Sequence, residues 1–540
     1  MTMTSVSKAI VGICNKRAWV VAERLLALGA LSFAAYVTLR YLNQPLVDLH
    51  AFRQTQTALT AYWMQEEGWS LAYQTPVAGF PWSIPYEFPI YQALVAFLSG
   101  IARFDLSPAG RLVSFLFLIG CAWPALSLCR RLDLPQSVAW VFCALLWTSP
   151  LYVYWGRTFM IETAAVFFSF ASIPYAIDVI RGVGGWRSTM LFMGLASAGV
   201  LQKATTGGPV LLFLVVFAAW SSLRRYGVGT ELLKRLIQPM AVLCGPLLIG
   251  LAWAHYADVV KSDNPFGVHL TSKALMDWNF GNAKQRAALE TWHTIVLERA
   301  LKPNAGGLAG VLLLLLPWLA GKRSRPLGTL TLAALLLFLL PIVIFINLHL
   351  VHDYYQVACV LYLIAAVSLV IGGVLKPLVK VEALVPIVTM VFMVLNITAF
   401  NAGYGVVAAG SLDELDAGSV KAYKIGRFLR DRTAPDSGLV VFGQDWSSEV
   451  GFHSERKSVT VGPEVTEYRR LWEVPESYLG GLKLSGIVVC PSPGGFPGET
   501  EVRERMLREP QWQIETIDDC TLMLNSLAVR LSAEHGADGF

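Results

Sequence analysis

The chain has 540 residues, of which 55% are hydrophobic and only 15% are charged. Soluble domains carry about 25% charged residues, so this composition excludes an ordinary soluble protein. The net charge of +5 is small, and no basic stripe interleaved with aromatic residues occurs, which argues against a nucleic-acid partner. Apolar runs of roughly 17 to 25 residues recur along the N-terminal three quarters of the chain, and each is long enough to cross a bilayer. We therefore predict a multi-pass membrane protein surrounded by membrane lipids.

The positions of Lys and Arg predict the orientation of the spans, because positively charged short loops stay in the cytoplasm. Lys16, Arg17 and Arg24 precede the first apolar run. We therefore predict a cytoplasmic N-terminus, in the inner membrane, and a first span that runs outward. If residues 86–104 form an amphipathic helix on the outer surface, every predicted inner loop carries Lys or Arg. The predicted spans, about eleven, are 25–42, 109–129, 136–149, 160–179, 188–202, 208–223, 237–256, 306–320, 327–346, 355–374 and 382–400.

Two long outer loops interrupt this predicted all-α transmembrane domain of residues 1–400. The first outer loop comprises residues 43–108, and the second comprises residues 257–305. Within the second, segment 264–286 is polar and punctuated by glycine. Two interpretations of this segment are equally good: a mobile loop over a site, or an ordinary connection.

Residues 401–540 have a different character, since charge rises and short β-like runs alternate with helical patterns. We predict a soluble α/β domain outside the membrane. Its two cysteines, Cys490 and Cys520, form either a disulfide or two buried thiols.

Polar and ionisable residues gather at the outer ends of the predicted spans. Ionisable groups at membrane depth are unfavourable and usually mark a working site or an ion pair. Separate segments bring such residues to the outer face, and those that we single out are Asp48, His50, Arg53, Gln54, Glu87, Arg111, Arg157, Glu162, Lys203, His352, Asp353, Tyr354 and Tyr355. The sequence thus predicts a polar site at the outer membrane boundary.

The charged residues also have structural interpretations. Asp48 is either a catalytic acid or a helix cap or ion-pair partner of Arg53. Glu162 is either an acid of the site or the partner of Arg157. Lys203 either binds an anion or extends to the lipid headgroups, as long basic side chains do.

Interfacial anchoring is the corresponding interpretation for Arg111 and for the tyrosines, because such residues are enriched at the membrane boundary. We predict the same anchoring role, rather than a sugar-stacking role, for Trp63, Trp69 and Trp82.

Five motifs, in order, resemble those of the GT-C superfamily of integral membrane glycosyltransferases, in particular the branch of the protein O-mannosyltransferases and the lipid A aminoarabinose transferases. The motifs are "VDLHAFRQTQTA" (47–58), "EFPIYQALVAF" (87–97), "SPAGRLVSFLF" (107–117), "YWGRTFMIE" (154–162) and "HDYYQVACVLYL" (352–363). The resemblance covers roughly residues 20–375. Two features depart from it: Glu87 and Phe88 stand where some relatives have Lys, and Glu162 replaces the more usual Asp.

The resemblance implies a polytopic helical domain of GT-C type with surface helices in the first outer loop. It implies a donor made of a sugar on polyprenyl phosphate and an acceptor at the outer face, which is a lipid, a polysaccharide or a protein. Asp48 takes the place of the catalytic acid and general base, and Glu162 that of a second acid. Cations suit the phosphate that leaves, and we assign this role to Arg53, Arg111, Arg157, Lys203 and His352. The residues predicted to bind substrate are His50, Gln54, Glu87, Asp353, Tyr354 and Tyr355. Transfer from the side opposite the phosphate inverts the anomeric centre.

No cofactor is required by this interpretation. A divalent metal held by Asp48, Glu162 and His352 is the weaker alternative, because these ligands come from distant segments. A transporter or flippase of a lipid-linked saccharide is the alternative function, but it predicts polar residues along the whole membrane depth. A ligand sensor is a third hypothesis, for which so many spans are excessive.

Overall fold

The computed structural model describes residues 3–321, 324–379, 381–410, 420–462, 468–491, 495–496, 498–508 and 512–525. The chain divides into two compact units. The first unit comprises Met1–Leu42, Arg111–Ala252 and Met276–Val406, and the second comprises Asn43–Gly110, Trp253–Leu275 and Val407–Phe540.

Long apolar helices dominate the first unit. Among the described residues, eight helices are long and apolar enough to cross a membrane: Ala18–Arg40, Leu106–Arg131, Glu162–Arg181, Ala204–Tyr226, Thr230–Ser262, Arg325–Ile344, Asp353–Val379 and Leu384–Gly410. A ninth candidate is the pair Leu289–Ala305 and Leu308–Leu319, which is bent by 82°. This composition confirms the predicted polytopic helical domain.

Helices lie at all eleven predicted span positions, but three of them are not among these eight. Gln136–Leu146 has only 11 residues and is followed by the separate helix Pro150–Trp155. Gly185–Gln202 has 18 residues, and Leu308–Leu319 counts only with the bent helix before it. The described residues therefore support eight or nine spans, and the count of eleven stays a prediction.

The first outer loop contains the helices Ala51–Glu67 and Ile90–Ala102. The second of these has 13 residues, so it is only about 20 Å long, shorter than a hydrocarbon core of about 30 Å. Tyr91 and Val95 are buried on one face of it, whereas Phe97 and Ile101 are exposed on the other. This segment is thus an amphipathic helix that is too short to cross a membrane.

The second unit contains a sheet of five strands, β1 (Ser437–Phe442), β2 (Lys457–Val461), β3 (Lys483–Val489), β4 (Trp512–Ile517) and β5 (Cys520–Asn525), in the order β2-β1-β3-β5-β4. β1 pairs in parallel with β2 and β3, whereas β5 pairs antiparallel with β3 and β4. Beyond residue 420, the described residues form the α-helices Lys421–Arg432, Glu449–Ser454, Tyr468–Glu473 and Glu499–Met506 and the 3-10 helix Pro475–Tyr478. The prediction of a C-terminal α/β domain is confirmed. Cys490 and Cys520 are joined as a disulfide.

Residues of the first outer loop complete the hydrophobic core of this sheet. Leu59 and Ile84 are fully buried against side chains of the three parallel strands. Trp82 belongs to the same core and is only 7% exposed, so its prediction as an interfacial anchor is wrong. Trp63 packs against this core as well, whereas Trp69 is exposed. The loop therefore folds onto the sheet instead of leaving its aromatic residues free.

The outer edge of β2 is covered by segment 76–80 of the same loop. The Thr460 N–H donates to the Val77 carbonyl at 2.8 Å, and the Gly79 N–H donates to the Ser458 carbonyl at 3.3 Å. An uncovered strand edge invites pairing with another chain, and this segment removes that edge.

Segment 264–286 is held by side-chain hydrogen bonds. Asn264 Nδ2 lies 2.8 to 3.2 Å from three carbonyls of the first outer loop. Asn282 and Gln285 form a capping box, and Gln285 Nε2 donates to Asn347 Oδ1 at 2.7 Å. These bonds favour the interpretation as an ordinary connection over that as a mobile loop.

Candidate functional site

Glu162 and Lys203 form a buried ion pair in the first unit. Lys203 Nζ lies 2.5 Å from Glu162 Oε1, and the two side chains are 8% and 3% exposed. Glu162 is the first residue of the helix Glu162–Arg181, where the helix dipole favours a negative charge. Two structural interpretations are therefore wrong: Glu162 pairs with Lys203 and not with Arg157, and Lys203 does not extend to the headgroups.

Aromatic rings form a wall beside this lysine. Lys203 Nζ lies 4.0 Å from the centre of the Tyr355 ring and 5.1 Å from that of Tyr354. The two tyrosine rings stack at 4.8 Å, and the His352 ring stacks on Tyr354 at 5.2 Å. A cation over aromatic faces is stabilised electrostatically, more so when it is removed from water. Five of the residues predicted for the site thus lie together.

A sharp helix break places Lys203. The helix Gly185–Gln202 ends and the helix Ala204–Tyr226 begins around this single residue, whose backbone is extended with φ −160° and ψ 101°. The two helices approach each other so closely that a Cβ at Gly207 would lie only 2.7 Å from the Val200 nitrogen. The lysine therefore stands at the N-terminus of a 23-residue helix, a position that favours anions.

Arg157 begins a second chain of contacts in the same unit. Its guanidinium carbon lies 4.6 Å from the centre of the Tyr154 ring and 4.9 Å from that of Tyr41. Tyr154 stacks on Tyr404 at 4.7 Å, and the Tyr404 hydroxyl donates to Asp353 Oδ2 at 2.6 Å. Arg157 is fully buried, so this cation is held between aromatic faces.

Arg111 is also fully buried and contacts the backbone at Arg157. Its Nη1 donates to the Arg157 carbonyl at 3.3 Å, and Ser114 Oγ donates to the Thr158 carbonyl at 2.7 Å. These bonds fix the backbone that carries Arg157. They show a positioning contact for Arg111, and its predicted contact with a donor phosphate stays a prediction.

Asp48 lies in the second unit, in the turn that leads into the helix Ala51–Glu67. Its carboxylate is 5% exposed and accepts a hydrogen bond of 2.5 Å from Gln54 Nε2. The same amide nitrogen lies 3.0 Å from the Leu49 carbonyl. His50, rather than Asp48, occupies the N-cap position of the helix, without a side-chain capping bond, and it has the left-handed backbone conformation with φ 52° and ψ 43°.

Arg53 and Glu87 form an ion pair in the same unit. Arg53 Nη2 lies 3.1 Å from Glu87 Oε2, and the side chains are 14% and 10% exposed. Gln92 Nε2 donates to the other Glu87 oxygen at 2.7 Å, and Arg53 also donates to Gln56. Glu87 therefore has a cation, Arg53, beside it, and the predicted roles of both residues in binding stay predictions.

These residues form no recognisable metal centre in the described part of the chain, and they do not line the apolar cavity of the first unit. Across the part of the chain that the structure describes, no group of three or more His, Cys, Asp or Glu residues could hold a metal ion, which leaves the alternative ligand set without support. A cavity of about 430 Å³ in the first unit is lined mainly by apolar side chains such as Phe142, Phe170 and Leu337. None of the predicted site residues lines it.

Comparison with known proteins gives matches only among solved structures, since no family model and no curated protein matches the sequence. One match is ArnT from Cupriavidus metallidurans bound to undecaprenyl phosphate, with a TM-score of 0.59 and 12% identity over 95% of this chain and 99% of that one. The archaeal oligosaccharyltransferase AglB from Archaeoglobus fulgidus, in complex with an inhibitory peptide and a dolichol-phosphate, matches with a TM-score of 0.51 and 12% identity over 86% and 69%. A form of the arabinofuranosyltransferase AftD from mycobacteria matches with a TM-score of 0.51 and 12% identity over 93% and 41%. All three are glycosyltransferases of GT-C type.

The chain has the GT-C fold. Its apolar helices agree with a multi-pass membrane protein. Within this fold, the first unit holds Arg111, Arg157, Glu162, Lys203 and the "HDYY" residues, and the second holds Asp48, His50, Arg53, Gln54 and Glu87. The predicted pocket common to Asp48, Arg111 and Lys203 stays a prediction.

Sequence reasoning missed several side chains that hold the predicted site residues in place. Tyr154 lies inside the quoted motif "YWGRTFMIE", and the aromatic residues of that motif could have indicated an aromatic contact for Arg157. Tyr41, Gln92 and Tyr404 gave none, because each contacts its partner only through the tertiary fold.

Proposed function

We propose that this chain is a membrane glycosyltransferase that moves a sugar from a polyprenyl-phosphate donor to an acceptor at the outer face of the membrane. The observation that carries this proposal is the buried Lys203, paired with Glu162 and lined by Tyr354 and Tyr355. A buried ion pair in a bundle of apolar helices is a weak source of stability, so its presence needs a functional reason. The GT-C fold gives the chemical context.

Lys203 binds the donor phosphate in this proposal. It has a point charge suited to phosphate, and it stands at a helix N-terminus that favours anions. Glu162 keeps the cation paired before the donor arrives. As the bond between sugar and phosphate breaks, negative charge collects on the phosphate, and fixed cations such as Lys203 and Arg157 stabilise that charge. The stacked tyrosines exclude water from the cation and strengthen this interaction.

Asp48 acts as the general base that accepts the proton of the acceptor hydroxyl. A general base must be ionised and held within hydrogen-bonding reach of the proton that it removes. The bond from Gln54 stabilises the carboxylate and fixes its direction. Attack on the side of the sugar opposite the phosphate then inverts the anomeric centre.

We place the chain in the inner membrane of the cell envelope, with its second unit on the side away from the cytoplasm. The distribution of Lys and Arg supports this orientation. The bond between Cys490 and Cys520 supports it independently, because disulfides persist in oxidising compartments.

The experiment that tests the proposal replaces Asp48 by Asn, which keeps the size of the side chain and removes its charge. We expect the cell-surface glycan that depends on the gene to disappear, at an unchanged protein level, because the base is lost. The matched control is Glu66→Gln, which changes an exposed carboxylate in the same unit and should leave the glycan intact. Normal glycan in the Asp48→Asn strain would rule out the base. Comparing glycans with and without the gene also identifies the acceptor.

A further inference from the structure

The apolar cavity of the first unit lies near one end of the helices that line it. On the helix Glu162–Arg181, the lining residues begin at Phe170 and include Arg181, the last residue of the helix. On Ala204–Tyr226 they lie towards the C-terminal end, whereas on Arg325–Ile344 they lie towards the N-terminal end. The volume of about 430 Å³ falls within the range of about 300 to 1,000 Å³ that is usual for ligand pockets. The cavity is therefore large enough to hold a ligand.

The depth of the cavity matches one leaflet of a bilayer. Phe170 and Arg181 are 11 positions apart on one helix, which corresponds to about 16 Å at a rise of about 1.5 Å per residue. The hydrocarbon core of a bilayer is about 30 Å thick, so one leaflet accounts for about 15 Å of it. The cavity thus has the length of one lipid acyl chain and does not cross the membrane.

Aromatic rings form one wall of the cavity. The rings of Phe213 and Phe217 are stacked with their centres 6.1 Å apart, and the Trp220 ring lies 5.9 Å from that of Phe217. These three residues follow one face of their helix, so the wall runs along the helix axis. Phe170 is buried, whereas Trp220 is 43% exposed and Arg181 is exposed as well. The cavity therefore opens where Trp220 and Arg181 lie, an end that we call its mouth. Apolar cavities stay dry but accept apolar ligands.

Arg181 brings a positive charge to this mouth. Its Nη1 donates to the Arg131 carbonyl at 2.7 Å, and among the described residues no carboxylate forms an ion pair with it. Asp178, one turn earlier on the same helix, is bound instead by Arg131 Nη2 at 3.0 Å and by Ser188 Oγ at 2.9 Å. The charge of Arg181 is therefore not neutralised by the acid that stands closest to it in the chain.

Two further arginines stand next to lining residues at the same end. The guanidinium carbon of Arg224 lies 4.8 Å from the centre of the Trp220 ring. Arg325 is one turn before the lining residue Thr329, whose hydroxyl donates to the Arg325 carbonyl at 3.2 Å. Both arginines are exposed, and in the described part of the chain neither forms an ion pair with a carboxylate. Three cations without acids predict an anionic ligand group, and guanidinium groups suit phosphate.

The mouth lies far from the candidate phosphate site at Lys203. Lys203 immediately precedes the helix Ala204–Tyr226, and Ser221, which lines the cavity beside Trp220, lies 18 positions further along. This spacing corresponds to about 27 Å at a rise of about 1.5 Å per residue, nearly the thickness of a hydrocarbon core of about 30 Å. A phosphate at the mouth is therefore not the phosphate that Lys203 would bind, and it belongs to a lipid of the opposite leaflet.

We propose that the cavity binds one acyl chain of an anionic glycerophospholipid, whose phosphate lies among Arg181, Arg224 and Arg325. Such a lipid combines an apolar chain as long as one leaflet with a negative charge at the membrane surface. The prenyl chain of a donor held at Lys203 fits less well, because it would enter from the other end and leave the three arginines without an anion. The inference goes beyond the proposed function and does not depend on it, since it involves neither the donor nor the transfer step.

Native mass spectrometry of the full-length protein in detergent tests this inference. The probes are dipalmitoyl phosphatidylglycerol, which is anionic, and dipalmitoyl phosphatidylethanolamine, which has the same chains and no net charge. We expect one molecule of phosphatidylglycerol to bind more tightly than phosphatidylethanolamine. Arg181→Gln and Arg224→Gln should each weaken phosphatidylglycerol binding about fivefold, the effect of one cation near a membrane surface. Equal affinity of the wild type for the two lipids would overturn the inference.

Arg187→Gln is the matched control for these variants. Arg187 is exposed and lies 5.8 Å from the centre of the Trp186 ring, much as Arg224 lies beside Trp220, but it does not line the cavity. This variant should bind phosphatidylglycerol like the wild type. If Arg187→Gln weakens binding as much as Arg181→Gln and Arg224→Gln do, the lipid is attracted by surface charge alone and the proposed site is wrong.

Filling the cavity tests the position of the acyl chain. Ala334 lines the cavity and is 8% exposed, so the ring of Ala334→Phe would occupy the space of the chain and should weaken binding of both phospholipids at least tenfold. Leu332→Phe is the control, because Leu332 is 48% exposed on the same helix and does not line the cavity. Unchanged affinity in folded Ala334→Phe protein would contradict the inference. If that variant does not fold, the arginine variants decide the question.

Undecaprenyl phosphate distinguishes this site from the donor site. Lys203→Met should weaken the binding of undecaprenyl phosphate and leave that of phosphatidylglycerol unchanged, whereas Ala334→Phe should do the reverse. If Ala334→Phe weakens only undecaprenyl phosphate, the cavity holds the prenyl chain and the inference fails. If Lys203→Met affects neither lipid, the proposed role of Lys203 fails, and the phosphatidylglycerol measurements still decide what the cavity binds.

Discussion

At the scale of single residues, we expect substitutions of Lys203 and Glu162, the two members of the buried ion pair, to have opposite effects on the affinity for the lipid phosphate. Removing the lysine removes a charge-assisted contact with phosphate, which is worth about 1.5 to 3 kcal/mol. We therefore expect Lys203→Met to weaken the binding of undecaprenyl phosphate by roughly 10-fold to 100-fold. Glu162→Gln should instead tighten binding, because the carboxylate no longer competes with the phosphate for the cation. The measurement is the ligand-induced shift of the thermal unfolding midpoint.

Lys234→Met is the control for this pair of variants, because Lys234 is exposed and should not affect binding. Equal affinity of the wild type and Lys203→Met would contradict the phosphate role of Lys203. Weaker binding in Glu162→Gln would show that the carboxylate supports the phosphate site instead of competing with it.

His453 predicts a pH dependence of stability. Burial lowers the pKa of its imidazole from 6.5 to about 4, so the native state holds the ring neutral. Below pH 6.5 the unfolded chain takes up a proton that the native state does not, and the free energy of unfolding falls until about pH 4, by about 3 kcal/mol in all. We expect His453→Asn, which does not titrate, to lose less stability than the wild type between pH 7 and pH 4.5. An equal loss in thermal unfolding midpoint would contradict this prediction.

The sequence identified the ionisable residues at the span ends more reliably than it identified which of them pair with each other. The acids and cations of the site stood out because they lie next to apolar runs. The partner of Glu162 could not be read from the sequence, because Arg157 is five positions away whereas Lys203 is 41 positions away. Which of the two approaches the carboxylate depends on the packing of three helices.

At the scale of elements, the close approach of the helices on either side of Lys203 predicts a strict requirement for glycine. A Cβ at Gly207 would lie 2.7 Å from the Val200 nitrogen and 2.8 Å from the Gly199 carbonyl carbon, whereas a Cβ at Gly208 would meet nothing within 4 Å. We therefore expect Gly207→Ala to lower the thermal unfolding midpoint. Gly208→Ala should leave it unchanged or raise it slightly, because alanine favours a helix by up to about 1 kcal/mol. Similar midpoints for the two variants would contradict this account of the helix break.

Span positions were predictable because a bilayer demands long apolar runs. The predictions are less secure where helices are short or bent, as at Gln136–Leu146 and in the 82° bend before Leu308–Leu319. The pairing of segment 76–80 with β2 was not predictable. It joins residues about 380 positions apart, and the segment itself lacks the alternation of a strand.

At the scale of the whole molecule, the shared core of the first outer loop and the sheet predicts that the loop needs the C-terminal domain. Leu59, Trp82 and Ile84 are buried against strands beyond residue 436. A chain that ends at residue 406 would leave them exposed. We expect chymotrypsin to cleave that truncated chain between residues 69 and 86, where Trp69, Tyr73 and Trp82 lie, at concentrations that leave the full-length chain intact. Equal resistance of the two chains would show that the loop folds by itself.

The same shared core imposes an order on biosynthesis. Roughly 350 residues separate Ile84 from the start of β1, and ribosomes add about 5 to 20 residues per second. In the newly made first loop, Leu59 and Trp82 therefore stay exposed for about 20 to 70 seconds, until the strands of the C-terminal sheet have been synthesised. During that interval we expect the loop to depend on membrane-associated chaperones, and a slower ribosome in the middle of the message to increase aggregation of the newly made chain.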